Sequence, residues 1–188
     1  MGEKTPAHFR YVPTLLTWFP QARIIHMLRD PRGIFVSEWR RRQREAQSFP
    51  YKQLKHVPAL MKLIILLQTT YTWRESARNS REYLQLYPQN YYPLRFEDLV
   101  RDPENQVKAL CRFIGVEFQP EMLDQTVVSM GFQEKQTGFD AGAASRWKKQ
   151  IQPWADAWLR FWLGQDMKRL GYELENPKDE TVRQQHSG

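Results

Sequence analysis

Arg29 and Ser37 stand eight residues apart, at the two ends of Arg29-Asp30-Pro31-Arg32-Gly33-Ile34-Phe35-Val36-Ser37. A guanidinium at the carboxyl end of a strand can hold a phosphate through two parallel hydrogen bonds, and a hydroxyl on the following helix can add another. The same spacing allows a plainer reading, in which Arg29 pairs with Asp30 or Glu38 and Ser37 faces solvent. A second group of chemical interest follows at once. Trp39 precedes Arg40-Arg41-Arg42 and Arg44. That run is either a solvated helix face or an edge that receives an anionic acceptor, with Trp39 stacked on a sugar ring and Arg40 on its charge. The chain carries 28 Lys+Arg against 21 Asp+Glu, a net charge of +7. An anionic partner is therefore expected, whether nucleotide, sulfated sugar, nucleic acid or membrane surface. Cys111 is the single cysteine, which excludes an internal disulfide, and no Cys/His cluster has metal-ligand spacing.

The elements that position these groups can be read from local pattern. Arg23 to Leu28 is short, apolar and rich in β-branched residues, a buried strand with apolar residues on both faces. Asp30 and Pro31 then suit the cap and first position of a helix that runs to about Ala46. Pro58 opens a long helix with apolar residues at Leu60, Leu63, Ile64 and Leu67, ending by Tyr87-Pro88. Tyr91 to Phe96 is a second strand, with Pro93 moving it toward an edge. Asp102-Pro103 starts another helix that Gly115 stops. The spacing predicts a helix from Pro120 through Leu123, Val127 and Met130, then a loop from Gly131 to Ala144. A final helix from Pro153 carries Trp154, Trp158, Phe161 and Trp162 as core residues. Everything after Leu174 is polar, so the expected organisation is one partial domain over 1–174 and a loose tail over 175–188. Two strands among several helices give an α/β class with a short parallel sheet, and so small a sheet implies that further strands come from outside these residues.

In their order along the chain, several segments resemble those of sulfotransferases that use 3′-phosphoadenosine 5′-phosphosulfate (PAPS). Arg29 to Ser37 resembles the segment that binds the cofactor's 3′-phosphate. Gly2-Glu3-Lys4-Thr5-Pro6-Ala7-His8-Phe9 is similar to the Glu-Lys-Thr-Pro segment of the heparan branch; a tyrosylprotein-like branch is the other candidate. Leu94-Arg95-Phe96-Glu97-Asp98-Leu99 looks like the Arg-Tyr-Glu-Asp-Leu segment, with Phe96 in the tyrosine's place. Ser145-Arg146-Trp147-Lys148 resembles the stretch that closes over the nucleotide, and Leu170-Gly171-Tyr172 the last motif.

The resemblance implies a three-layer, P-loop-like sulfotransferase fold that is incomplete here, with PAPS as donor, its product PAP (3′-phosphoadenosine 5′-phosphate), and a carbohydrate or other hydroxyl or amine acceptor. It also implies roles. Lys4 would contact the transferring sulfuryl group, Arg29 and Ser37 the 3′-phosphate, and Arg146, Trp147 and Lys148 the adenine or phosphates. His8 is the nearest histidine that could serve as base. Family members also hold the 5′-phosphosulfate in a glycine- and threonine-containing loop after their first strand, and nothing in Met1 to Pro20 reads that way. Two other readings stay open, a different phosphate-binding α/β protein such as a nucleotide-kinase relative, and a basic nucleic-acid-binding module. The first lacks a Walker-type loop; nucleic acid is not the expected partner. With neither a signal-peptide layout at Met1 to Pro6 nor an apolar run near the roughly 20 residues that span a bilayer, a cytoplasmic location is expected unless an upstream segment directs otherwise.

Overall fold

The computed structural model describes residues 2–44, 57–124, 126–129 and 132–174. A 3-10 turn over Pro6–Arg10 leads into helix α1 (Val12–Trp18) and strand β1 (Ile24–Leu28). Helices α2 (Pro31–Arg44) and α3 (Pro58–Leu86) precede strand β2 (Tyr91–Arg95), helix α4 (Phe96–Arg101) and helix α5 (Pro103–Ile114). A hairpin, β3 (Thr126–Ser129) and β4 (Phe132–Thr137), and 3-10 turns over Ala141–Ala144 and Arg146–Lys149 precede the last helix, α6 (Pro153–Arg169). The tail expected from 175 onward lies outside the described residues.

The chain divides into two units, the residues up to Arg29 with Arg78–Ala144, and Asp30–Ala77 with the residues from Ser145. In the first, β1 and β2 pair in parallel, from Ile24 opposite Tyr91 to Leu28 opposite Arg95. Pro93 sits mid-strand opposite His26, and it is tolerated because β2 is an edge strand of the described sheet. Val12, Leu16, Tyr83 and Tyr91 form the buried core beneath, with Ala22, Ile24 and Tyr87 against it. In the second unit the core is built from α2, α3 and α6, with Phe35, Ile65, Leu66, Trp73, Leu159, Leu163 and Met167 buried together.

Three expectations are corrected. β1 is not apolar-buried on both faces, since His26 and Leu28 are buried while Ile25 and Met27 are 40% and 46% exposed. The pattern is that of a one-sided strand among the described residues. The helix expected from Pro120 is a single 3-10 turn, Pro120–Leu123, followed by the antiparallel hairpin. The β-branched run Thr126-Val127-Val128 and the following Gly131 outweigh the four-residue apolar spacing. On α6, of the four aromatic residues only Trp158 packs, half-buried, against the core. Trp154, Phe161 and Trp162 are exposed, and the buried stripe is Ala155, Leu159, Leu163 and Met167 at strict i, i+4 spacing. Two apolar stripes share this helix, and the smaller side chains are those that fit against α2 and α3.

The predicted end of α5 is where the structure has it. Gly115 adopts φ 78 and its N–H donates to the carbonyl of Cys111. A β-carbon there would meet nothing within 4 Å, so the left-handed backbone alone opposes substitution. Gly115→Ala is expected to cost about 1 kcal/mol in urea denaturation, and Gly115→Asn less, because asparagine tolerates this conformation.

Candidate functional site

The first unit places Arg29 directly after β1. Its guanidinium lies over the ring of Phe96, with Cζ 4.5 Å from the centroid, and Nη2 reaches the carbonyl of Ala143 at 3.5 Å. Phe96 opens α4, which packs against the Ala141–Ala144 turn. The position that the resemblance fills with tyrosine thus supplies a ring face for Arg29. Lys4 is exposed, just before the Pro6–Arg10 turn, and His8 is half-buried within that turn.

The same turn carries Phe9, whose ring stacks on His26 at 5.5 Å and 4°. His26 is a buried histidine, and its Nδ1 shares a hydrogen bond with the Tyr91 hydroxyl. Burial lowers its pKa from 6.5 to about 4, so the ring is neutral at pH 7. Burial also pushes the pKa of the Tyr91 hydroxyl upward, so both members of this hydrogen bond are uncharged at pH 7. His26 was read from sequence only as part of an apolar strand. Polar–apolar alternation with Ile25 and Met27 would have turned it outward, so no local sign marked it as buried.

The second unit begins with Asp30, the predicted cap of α2. Its Oδ1 accepts the backbone N–H of Arg32 at 2.8 Å, as the cap reading requires. Both its oxygens also accept from the Arg32 guanidinium, Nε to Oδ1 at 3.0 Å and Nη2 to Oδ2 at 2.7 Å. Ser37 is exposed on α2, one turn beyond Gly33. Trp39 is half-buried with the Lys62 ammonium 4.8 Å from its ring centroid, and Arg40 is exposed. Trp39, Arg40 and Lys62 line a cleft of about 250 Å³ with Phe35, Gln43 and Gln150.

The arginines of the basic run differ in their surroundings. Arg41 pairs with Glu38 at 2.7 Å, and Arg42 is buried and donates to Gln68 Oε1 at 2.9 Å.

The Arg146–Lys149 turn packs against α2. Trp147 is buried, Lys148 half-buried and Arg146 exposed. Arg32, which the sequence reading did not single out, holds this region: it is 2% exposed, and its Cζ lies 4.2 Å from the Trp147 ring centroid. The buried Asp156 of α6 sits 3.7 Å from Arg32 Nη1 and 2.9 Å from Arg160 Nε. Its carboxyl is pushed above the usual range by burial, against the pull of Arg160 and Arg32. The repeated arginine in Arg29-Asp30-Pro31-Arg32 was the sign that one of the two serves Asp30. Among the described residues, no group of His, Cys, Asp and Glu is arranged to hold a metal ion.

Comparison with known proteins bears on the family and the fold. The profile of the Sulfotransferase family matches residues 1–120. The chain is 30% identical over 124 residues to the omega-hydroxy-beta-dihydromenaquinone-9 sulfotransferase of Mycobacterium bovis, covering 60% of this chain and 28% of that protein. Among solved structures, it superposes on the sulfotransferase domain of the Synechococcus PCC 7002 olefin synthase with a TM-score of 0.65 and 23% identity, over 92% of this chain and 58% of that one. The sulfotransferase domain from the curacin biosynthetic pathway gives a TM-score of 0.61 and 25% identity, covering 92% and 62%. The chain therefore spans about three-fifths of the length of these solved domains and a smaller part of the mycobacterial relative. A family profile over most of the chain and a matching α/β fold lead to one conclusion: this chain belongs to the sulfotransferase family.

Proposed function

We propose that these residues form the 3′-phosphoadenosine side of a PAPS-dependent sulfotransferase site. The observation that carries the reading is Arg29 at the carboxyl end of β1, its guanidinium backed by Phe96 and Ala143, in the segment that resembles the family's 3′-phosphate grip. In this reading Arg29 and Ser37 hold the 3′-phosphate, and Arg146, Trp147 and Lys148 hold the adenosine. The residue types suit an anion, and the one carboxylate of the Arg29 to Ser37 segment, Asp30, is already bound on both oxygens by Arg32. Bound there, PAPS supplies a sulfuryl group, whose new bond to the acceptor oxygen forms as its bond to the 5′-phosphate oxygen breaks. Lys4 offsets charge at that group, and His8 is the candidate to take the acceptor's proton.

Within the family, Glu3-Lys4-Thr5-Pro6 supports a heparan-type or tyrosylprotein-like branch. The acceptor we assign is a carbohydrate or other hydroxylated molecule, and the mycobacterial relative's name extends that class to a hydroxylated quinone. Trp39 and Arg40, at the mouth of a cleft, are the acceptor residues of this proposal. Neither strand of the parallel pair runs into a glycine-rich turn: β1 leads to Asp30-Pro31 and β2 directly into α4. In this reading neither turn is the 5′-phosphosulfate loop. None of the described helices is long and apolar enough to cross a membrane; a cytoplasmic enzyme is our proposal.

Immobilised PAP tests the reading. The chain is expected to be retained and to elute with free PAP but not with adenosine 5′-phosphate, and to transfer no label from PAPS to hydroxylated acceptors by itself. Passage through the column, with salt-dependent binding to DNA instead, would overturn it in favour of a nucleic-acid-binding module. Robust transfer by the chain alone would contradict the placing of the donor loop elsewhere.

A further inference from the structure

We propose that Arg32 is a positioning residue for nucleotide binding, the group through which the Arg146–Lys149 turn is fixed; this rests on the assignment of that turn to the adenosine. Trp147 is the one buried side chain of the turn. One attachment of the turn to the rest of its unit is therefore the indole, and Arg32 lies against the indole. The guanidinium is itself held in one plane. Nε and Nη2 donate to Asp30, and Nη2 donates also to the carbonyl of Glu173 at 2.6 Å. A planar cation clamped along one edge presents a fixed face, and an aromatic ring settles on that face. The start of α2, the turn and the segment after α6 are thereby tied to one side chain.

The remaining corner is slack. Arg32 Nη1 and Asp156 Oδ1 are both buried without a hydrogen-bond partner, 3.7 Å apart. Two buried, oppositely charged atoms beyond hydrogen-bond distance gain if they close up. A ligand that draws Arg146 and Lys148 inward presses Trp147 toward Arg32, and the closing of this gap favours the bound form. Arg32 touches no ligand in this scheme; it acts through Trp147.

A lysine at 32 keeps the charge but loses both the fork and the flat face. Arg32→Lys is expected to weaken PAP binding at least tenfold in calorimetry. Asp30→Asn keeps the helix cap while releasing the guanidinium's clamp. It is expected to act in the same direction, and it carries the test if the lysine variant does not fold. The discriminating measurement is a double-mutant cycle. In a chain already carrying Arg146→Ala and Lys148→Ala, neither substitution should weaken PAP binding further, because the turn no longer has anything to position. Hydrogen exchange should show faster opening of residues 145–152 in both variants, with α6 from Leu159 to Met167 unchanged.

Additive losses in the cycle would make Arg32 a general stabiliser and overturn the proposal, as would an unchanged affinity in Arg32→Lys. If Arg146→Ala with Lys148→Ala leaves PAP binding intact while wild type binds, the assignment of the turn fails first, and the positioning role fails with it.

Discussion

Arg29→Ala is expected to lower the affinity for PAP at least about 100-fold while leaving the thermal midpoint nearly unchanged. Hydrogen bonds to charged groups contribute about 1.5–3 kcal/mol each, so losing a two-bond grip on a phosphate amounts to about 3–6 kcal/mol. Each 1.4 kcal/mol is about tenfold in binding. Stability changes little because the side chain is only half-buried and lies outside the buried core of its unit. Arg29→Lys should fall between the two, since an ammonium keeps the charge and loses the fork. Calorimetric titration of the three proteins with PAP checks this. An alanine variant that binds like wild type removes Arg29 from the site.

Acidification from pH 7 to pH 5 is expected to cost the first unit about 2 kcal/mol, of a total near 3 kcal/mol, through His26. Its folded pKa of about 4 lies below its ordinary value of 6.5, and one unit of difference corresponds to about 1.4 kcal/mol. The sign follows from proton counting. Between those two values the unfolded chain binds the proton and the folded chain does not, so stability falls as pH drops through that window and levels off below about 4. The neutral ring shares a hydrogen bond with Tyr91 and stacks on Phe9, so protonation also sets a charge against the turn that follows Lys4. Urea denaturation at pH 7 and 5, compared with His26→Gln, isolates the effect. A glutamine variant with the same pH dependence would assign the acid sensitivity to other groups.

The elements around the site were legible in the sequence where a local signal stood alone. Asp30-Pro31 and Asp102-Pro103 mark helix starts because a side-chain acceptor or a missing N–H relieves the first turn, and Gly115 marks an end because its backbone is left-handed. What could not be read depends on partners distant in sequence. Arg32 looks like any basic residue until Asp156 and Trp147 are brought to it. His26 looks like one member of an apolar strand until the Tyr91 hydroxyl of the neighbouring strand shares a hydrogen bond with its ring. The aromatic residues of α6 satisfy helical spacing as well as the true core stripe does, and only the packing of α2 and α3 chooses between the two faces. From Pro120 to Met130 the apolar spacing suited a helix and from Gly131 a loop, yet the chain pairs Thr126–Ser129 with Phe132–Thr137 as antiparallel strands. The residues that resemblance assigns to the cofactor fall into both units, Arg29 in the first and Ser37, Arg146, Trp147 and Lys148 in the second.

The 3′-phosphate is what distinguishes this cofactor from common adenine nucleotides, so discrimination on that group alone tests the central claim most directly. Titration of the wild-type chain with PAP and with adenosine 5′-phosphate, under identical salt, gives the ratio of the two dissociation constants. The account predicts binding that is weak without the donor loop but at least tenfold tighter for PAP, with the preference abolished in Arg29→Ala. Equal affinities for the two nucleotides, or a preference that survives the loss of Arg29, would contradict it.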